Sequence, residues 1–304
     1  MVLADSCTLL ELDVVKILTT TWDWKPSVLL GCAVFLIYYL VLARSFRANW
    51  WQITSFTLGT LLMVFALVSP LDTVGDIYLF SVHMAQHLLL LLIVPPFWLW
   101  GLPPRLLNRV RTRLPLVARF EGVITQPFVA WIVGIGTVWL WHIPVLYEAT
   151  LSNEVVHVVE HLTFLASGVV FWWAVMIVPA PNFKRIGPLF SILYLFMAAV
   201  ASSILGIILT YAAPGLYPAY LHPADRFGIL QTIRETWGIS VATDQQAGGL
   251  LMWVLGSPLY LLGCLGALGR WYKQSEVETA REIAAQLEAE RTTQIKSVKI
   301  VSAK

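Results

Sequence analysis

Hydrophobic residues make up 58% of the 304 positions and charged residues 12%, with a formal net charge of +2. A water-soluble domain carries roughly 25% charged residues, so this composition excludes an ordinary soluble globule and gives no basis for a nucleic-acid partner. The small net charge decides little by itself; where the charges sit along the chain decides more.

The first 27 residues are polar enough to form an outer N-terminal segment. They lack a basic start and a small-residue cleavage site, so no cleavable signal peptide is expected. Apolar runs bounded by breakers then predict seven transmembrane helices: Val28 to Ala43, Ile53 to Ser69, Ile77 to Leu102, Pro127 to Ile143, Val155 to Val178, Leu189 to Ala212, and Ala247 to Leu268. Trp24, Trp50 and Trp51 flank the two shortest runs and extend them into the interface. The stretch from Pro214 to Asp244, with Pro214, Gly215, Pro218 and Pro223, is long enough for a structured lid or a re-entrant loop. The expected organisation is therefore an outer segment (1–27), a seven-helix transmembrane domain (28–268) and a polar cytoplasmic tail (269–304), in an all-α polytopic membrane protein.

Orientation follows from arginine and lysine. Alternate connections hold Arg44 and Arg47, then Arg105, Arg109, Arg111, Arg113 and Arg119, then Lys184 and Arg185, then Arg270 and Lys273. The intervening ones hold Asp72 and Asp76, then Glu148 and Glu154, then a mixed set. Basic connections stay on the cytoplasmic side, which predicts an outer N-terminus and a cytoplasmic C-terminus.

The pattern P-x12-H-x3-H-L-x8-F-W occurs twice, from Pro70 through His83, His87 and Trp98, and from Pro144 through His157, His161 and Trp172. Both copies run in the same direction, which predicts a parallel repeat of helix hairpins. His-x3-His puts two imidazoles on one helix face. His83 and His87 lie roughly 9 and 15 Å along their helix at about 1.5 Å per residue. His142 ends the fourth span at the same level, and Asp244 and Gln245 open the seventh. Five of the six histidines thus collect in one outer layer.

A histidine inside a bilayer is costly and normally faces the bundle interior, paired or liganded. Imidazole suits copper, zinc, iron and nickel. The candidate metal ligands are His83, His87, His157, His161, His142 and Asp244, with Gln86, Glu160, Gln245, Asp72 and Asp76 orienting them. Met84 and Met252 add thioethers, and His222 and Cys7 are further outer candidates. The plainer reading is interhelical hydrogen bonding, worth about 0.6 to 2 kcal/mol per bond. Two pairs in repeated register favour a metal or haem role.

The segments SPLDTVGDIYLFSVHMAQHLLLLLIVPPFWLWGLP, WHIPVLYEATLSNEVVHVVEHLTFLASGVVFWW and LYPAYLHPADRFGI...DQQAGGLLMWV resemble the CtaG family of bacterial cytochrome c oxidase assembly factors, over nearly everything from Ser69 to Leu268. The resemblance implies a multi-pass protein of the bacterial plasma membrane that acts in forming active haem–copper oxidase, with an oxidase subunit and other assembly factors as partners and copper as cargo. Its motif positions fall on His83, Gln86, His87, His157, Glu160, His161, Asp244 and Gln245. The stretch ILQTIRETWGISVAT after Gly228 is longer than that family leads one to expect. An assembly role makes an enzyme activity the less favoured reading. A membrane di-metal or haem oxidoreductase, or a metal-free scaffold, stands as the alternative.

Overall fold

The computed structural model describes residues 15–177 and 186–302, and among these the chain is helical with no strand. Cys7, Val178, Lys184 and Arg185 lie outside the described residues. The helices in chain order are α1 (Pro26–Ser45), α2 (Trp50–Val68), α3 (Pro70–Ile77), α4 (Phe80–Gly101), α5 (Pro104–Arg113), α6 (Pro115–Ile124), α7 (Pro127–Trp141), α8 (Pro144–Ser152), α9 (Glu154–Met176) and α10 (Pro188–Tyr211). The last, α11, comprises Val241–Leu250, a π turn at Leu251–Leu255 and Gly256–Ser302.

Six of these helical stretches are long and apolar enough to cross a membrane, and a seventh results if α6 and α7 count as one broken span. At about 1.5 Å per residue α7 alone covers only about 22 Å of the roughly 30 Å hydrocarbon core. It is joined to α6 through a 68° bend at Thr125 and Gln126. The outward faces of the spans are apolar: Leu30 in α1 is 67% exposed and Phe128 in α7 is 76% exposed. Polar side chains are buried inward, the arrangement of a bundle solvated by lipid. The chain is therefore an all-helical, multi-pass membrane protein.

Three details differ from the sequence reading. The third span starts at Phe80, because Tyr78 and Leu79 form a turn after α3. The basic stretch after the third span is a helical hairpin, α5 and α6, held by a bidentate pair between Arg111 and Glu121. The expected cytoplasmic tail is continuous with the seventh span, as one helix that runs to Ser302.

Prolines shape the long helices. Pro95 and Pro96 have no amide hydrogen to donate into the preceding turn, and α4 passes through a π turn at Leu89–Ile93 just before them. Helix α9 approaches this turn closely, since a Cβ on Gly168 would lie 2.6 Å from the Leu91 carbonyl oxygen. That contact brings α4 and α9, the two histidine-bearing spans, side by side.

Candidate metal centre

Local capping fixes the frame of the site. The Ser69 hydroxyl accepts from the Leu71 amide, and Pro70 opens α3, so Asp72 and Asp76 project one turn apart. The Asn153 side chain accepts from the Val155 and Val156 amides and starts α9, on which His157, Glu160 and His161 share a face. The first turn of α4 is capped from a distance: Asp244 accepts from the Phe80 amide at 2.8 Å, the Ser81 amide at 3.0 Å and the Ser81 hydroxyl at 2.5 Å.

On this frame His83, His87, His157, His161, Glu160, Asp72 and Asp76 converge. His157 Nε2 and His161 Nε2 stand 3.1 Å apart, and the ring centroids of His83 and His157 are 5.9 Å apart. His83 Nδ1 lies 3.1 Å from Asp76 Oδ1, and His157 Nε2 lies 3.4 Å from the same oxygen. Glu160, with none of its side chain exposed, reaches to 3.8 Å from His83 Nε2 and 3.6 Å from His87 Nε2. Three overlapping sets have ligand atoms mutually within 4.8 Å: His83, His87, Glu160 and His161; Asp72, His157 and His161; and Asp76, His83 and His157.

The hydrogen-bond account of the first set does not close. Both ring nitrogens of His87, Nε2 of His83 and both oxygens of Glu160 are buried without a hydrogen-bond partner, while His83 Nδ1 has Asp76 Oδ1 at 3.1 Å. Buried polar groups are normally satisfied, and each orphan costs about 1–3 kcal/mol. A tetrahedral ion with bonds of about 2.1 Å holds its ligand atoms about 3.4 Å apart. The Glu160 to His87 gap is close to that edge length. Donor type, burial and spacing all fit a transition-metal ion.

Asp72 is held by two neighbours. Lys25 Nζ lies 2.7 Å from Oδ2, and Gln86 Nε2 donates to Oδ1 at 2.8 Å and to the Ala66 carbonyl at 2.9 Å. Two cavities reach the cluster. One, of about 580 Å³, is lined by Asp23, Lys25, Asp72, Asp76, Glu154 and His157. The other, of about 280 Å³, lies between α1 and α9 and is lined by Lys25, Cys32, Met63, Asp72, His157 and His161.

Other sequence candidates sit apart from these ligand sets. His142 Nδ1 lies 2.6 Å from the Val138 carbonyl and Nε2 lies 3.1 Å from Met84 Sδ, so it borders the cluster with both nitrogens engaged. Asp244 spends its carboxylate on the start of α4. Gln245 accepts from the Gly215 and Leu216 amides and donates to the Leu209, Ala212 and Ala213 carbonyls, which ties down the end of α10. His222 is solvent-exposed.

Sequence reasoning missed Lys25 and Tyr147. Lys25, a lone cation at the edge of the first apolar run, was detectable only by asking which charge could neutralise Asp72. Tyr147 shares a 3.0 Å hydroxyl contact with Tyr220, whose hydroxyl donates to the Gly75 carbonyl at 2.8 Å. Tyr217 donates to the His142 carbonyl at 3.0 Å. The tyrosines fasten the 213–240 segment over the cluster, so this stretch is a structured lid.

Fold and cluster together define a polytopic helical membrane protein with a buried histidine–carboxylate group. The family model described as cytochrome c oxidase caa3 assembly factor (Caa3_CtaG) matches residues 33–274, and the chain belongs to that family. Among curated proteins it is similar to uncharacterized proteins of Mycobacterium leprae (22% identity over 281 residues) and of Mycobacterium bovis and Mycobacterium tuberculosis (24% over 285 residues each). Each match covers 85% of this chain and 41% of the relative, so the chain spans about two fifths of the length of these relatives. No solved structure matches the chain.

Proposed function

We propose that this protein serves haem–copper oxidase assembly by binding copper at the histidine–carboxylate cluster and passing it to an oxidase subunit within the bacterial plasma membrane. The family supplies the assembly role. The copper reading rests on one observation: His83 Nε2, His87 Nε2 and both Glu160 oxygens are buried without a hydrogen-bond partner, with His87 Nε2 and Glu160 Oε1 3.6 Å apart. On this reading the lid and the polar cavity face outward, the basic α5–α6 hairpin faces the cytoplasm, and Asp23, Asp76 and Glu154 attract cations to the entrance.

Imidazole holds either oxidation state of copper, the carboxylate favours Cu(II), and Met84 and Met63 add soft sulfur nearby. Delivery requires ligand exchange, so an accessible site suits it better than a closed structural one. The cavities open onto the cluster at Asp72, Asp76, His157 and His161, next to the buried His83, His87 and Glu160.

The test compares copper content of detergent-purified wild type with a His83→Ala/His87→Ala variant, alongside oxidase activity of cells carrying each. Copper in the wild type, with loss of both copper and oxidase activity in the variant, is the expected result. Full oxidase activity with the variant would overturn copper delivery and leave a metal-free scaffold.

A further inference from the structure

Asp72 is unusual among the cluster carboxylates because it already has a cation. Its side chain is only 2% exposed, and Lys25 Nζ sits 2.7 Å from Oδ2. A buried carboxylate needs such a partner, since an uncompensated charge away from water is strongly unfavourable. Yet Asp72 also belongs, with His157 and His161, to a set whose ligand atoms lie within 4.8 Å of one another. The same carboxylate therefore offers itself to an ammonium and to a metal ion.

We propose that Asp72, His157 and His161 form a second metal seat for which the Lys25 ammonium is the built-in competing cation. This deepens the copper reading and rests on it. Metal and ammonium exclude each other there, because two like charges a few ångströms apart in a partly buried site repel strongly. Lys25 has somewhere to go: Asp23 Oδ2 lies 3.5 Å from Nζ, its side chain is 51% exposed, and both residues line the larger cavity. A lysine stem is long and flexible enough for that swing.

The exchange gives the seat a way to let go. When the ion leaves, Lys25 returns to Asp72, so the carboxylate is never left bare in the membrane. His161 also belongs to the set with His83, His87 and Glu160. An ion at the second seat can therefore step toward the first by changing partners around one imidazole. Lys25 lines the smaller cavity too, so it stands where both openings meet the histidines.

The experiment titrates Cu(I) anaerobically, against a chromophoric competing chelator, into purified wild type, Lys25→Leu and Lys25→Leu/Asp72→Asn. In parallel, an amine-acylating reagent labels Lys25 in the wild type at each copper ratio, read by mass spectrometry. The expected result is a second equivalent bound about ten-fold more tightly in K25L, with that gain abolished in the double variant. Lys25 labelling should rise several-fold as the second equivalent binds. The labelling needs no substitution and decides the matter even if K25L folds poorly. A normal first equivalent with unchanged Lys25 labelling through two equivalents would overturn the competing-cation seat alone. Absence of copper binding in the wild type would overturn it together with the copper reading.

Discussion

Glu160 Oε1 stands 3.6 Å from His87 Nε2, too far for a hydrogen bond and too close for a charge to be ignored. Both groups are buried, and neither has a hydrogen-bond partner. This pair carries a cost in the folded chain that an ion between the two would offset. Stability of the protein and affinity for metal are thus set against each other at one residue.

Glu160→Gln separates them. The amide keeps the shape and removes the buried charge, so in metal-free buffer the variant should be more stable by about 1–3 kcal/mol. Copper affinity should fall by about 10- to 100-fold, as when a group supporting a metal site is lost. Thermal melts with and without copper check both. A variant that melts lower than wild type in metal-free buffer would show that Glu160 is satisfied by the protein alone.

Asp244 gives the opposite expectation. Its three hydrogen bonds fasten the start of α4. Asp244→Ala leaves the Phe80 and Ser81 amides without that acceptor, at a cost of about 1–3 kcal/mol, while the folded fraction keeps its copper stoichiometry. Equilibrium melts and metal analysis of the monodisperse fraction test this. Loss of copper from folded D244A would make Asp244 a ligand after all.

These two acids show how far sequence alone reaches. His83, Glu160 and His161 were readable because their spacing puts them on helix faces at a common depth. Asp244 occupies the same depth, so depth could not separate a ligand from a cap; that difference lies in which backbone amides the carboxylate meets. Lys25 was harder to find, since its partner is 47 residues away in sequence. The α6–α7 bend was equally hidden: Pro127 marked a boundary, but nothing in the sequence gave the angle between the two helices.

Glycine positions make a paired prediction about packing. A Cβ on Gly168 would lie 2.6 Å from the Leu91 carbonyl oxygen and 2.8 Å from Pro95 Cγ, atoms fixed by backbone and ring. Gly168→Ala should therefore destabilise by about 1–3 kcal/mol and spread the two histidine helices. Gly31 has nothing within 4 Å of that position, so Gly31→Ala should stabilise by about 0.5–1 kcal/mol through helix propensity alone. Side-by-side melts decide; equal effects at the two sites would contradict the close approach of α9 to α4.

The lid carries a pH dependence of its own. Burial would raise the Asp225 carboxyl, but the Ile229 amide, the Tyr78 hydroxyl and the Leu230 amide bond to it and together hold it below the usual carboxylate range. Burial pushes the Tyr78 hydroxyl up to about 12, so it stays a donor. A depressed carboxyl contributes stability that is present above its unfolded value of about 3.9 and is lost as the pH falls through its lower folded value. Protection of the 225–239 backbone against hydrogen exchange, corrected for intrinsic rates, should therefore hold from pH 7 to pH 5 and fall only below about pH 4. Asp225→Asn should weaken that protection already at pH 7 and flatten the acid transition. If wild-type protection collapses between pH 7 and 5, or D225N matches wild type throughout, the Asp225 anchor is not what docks the lid.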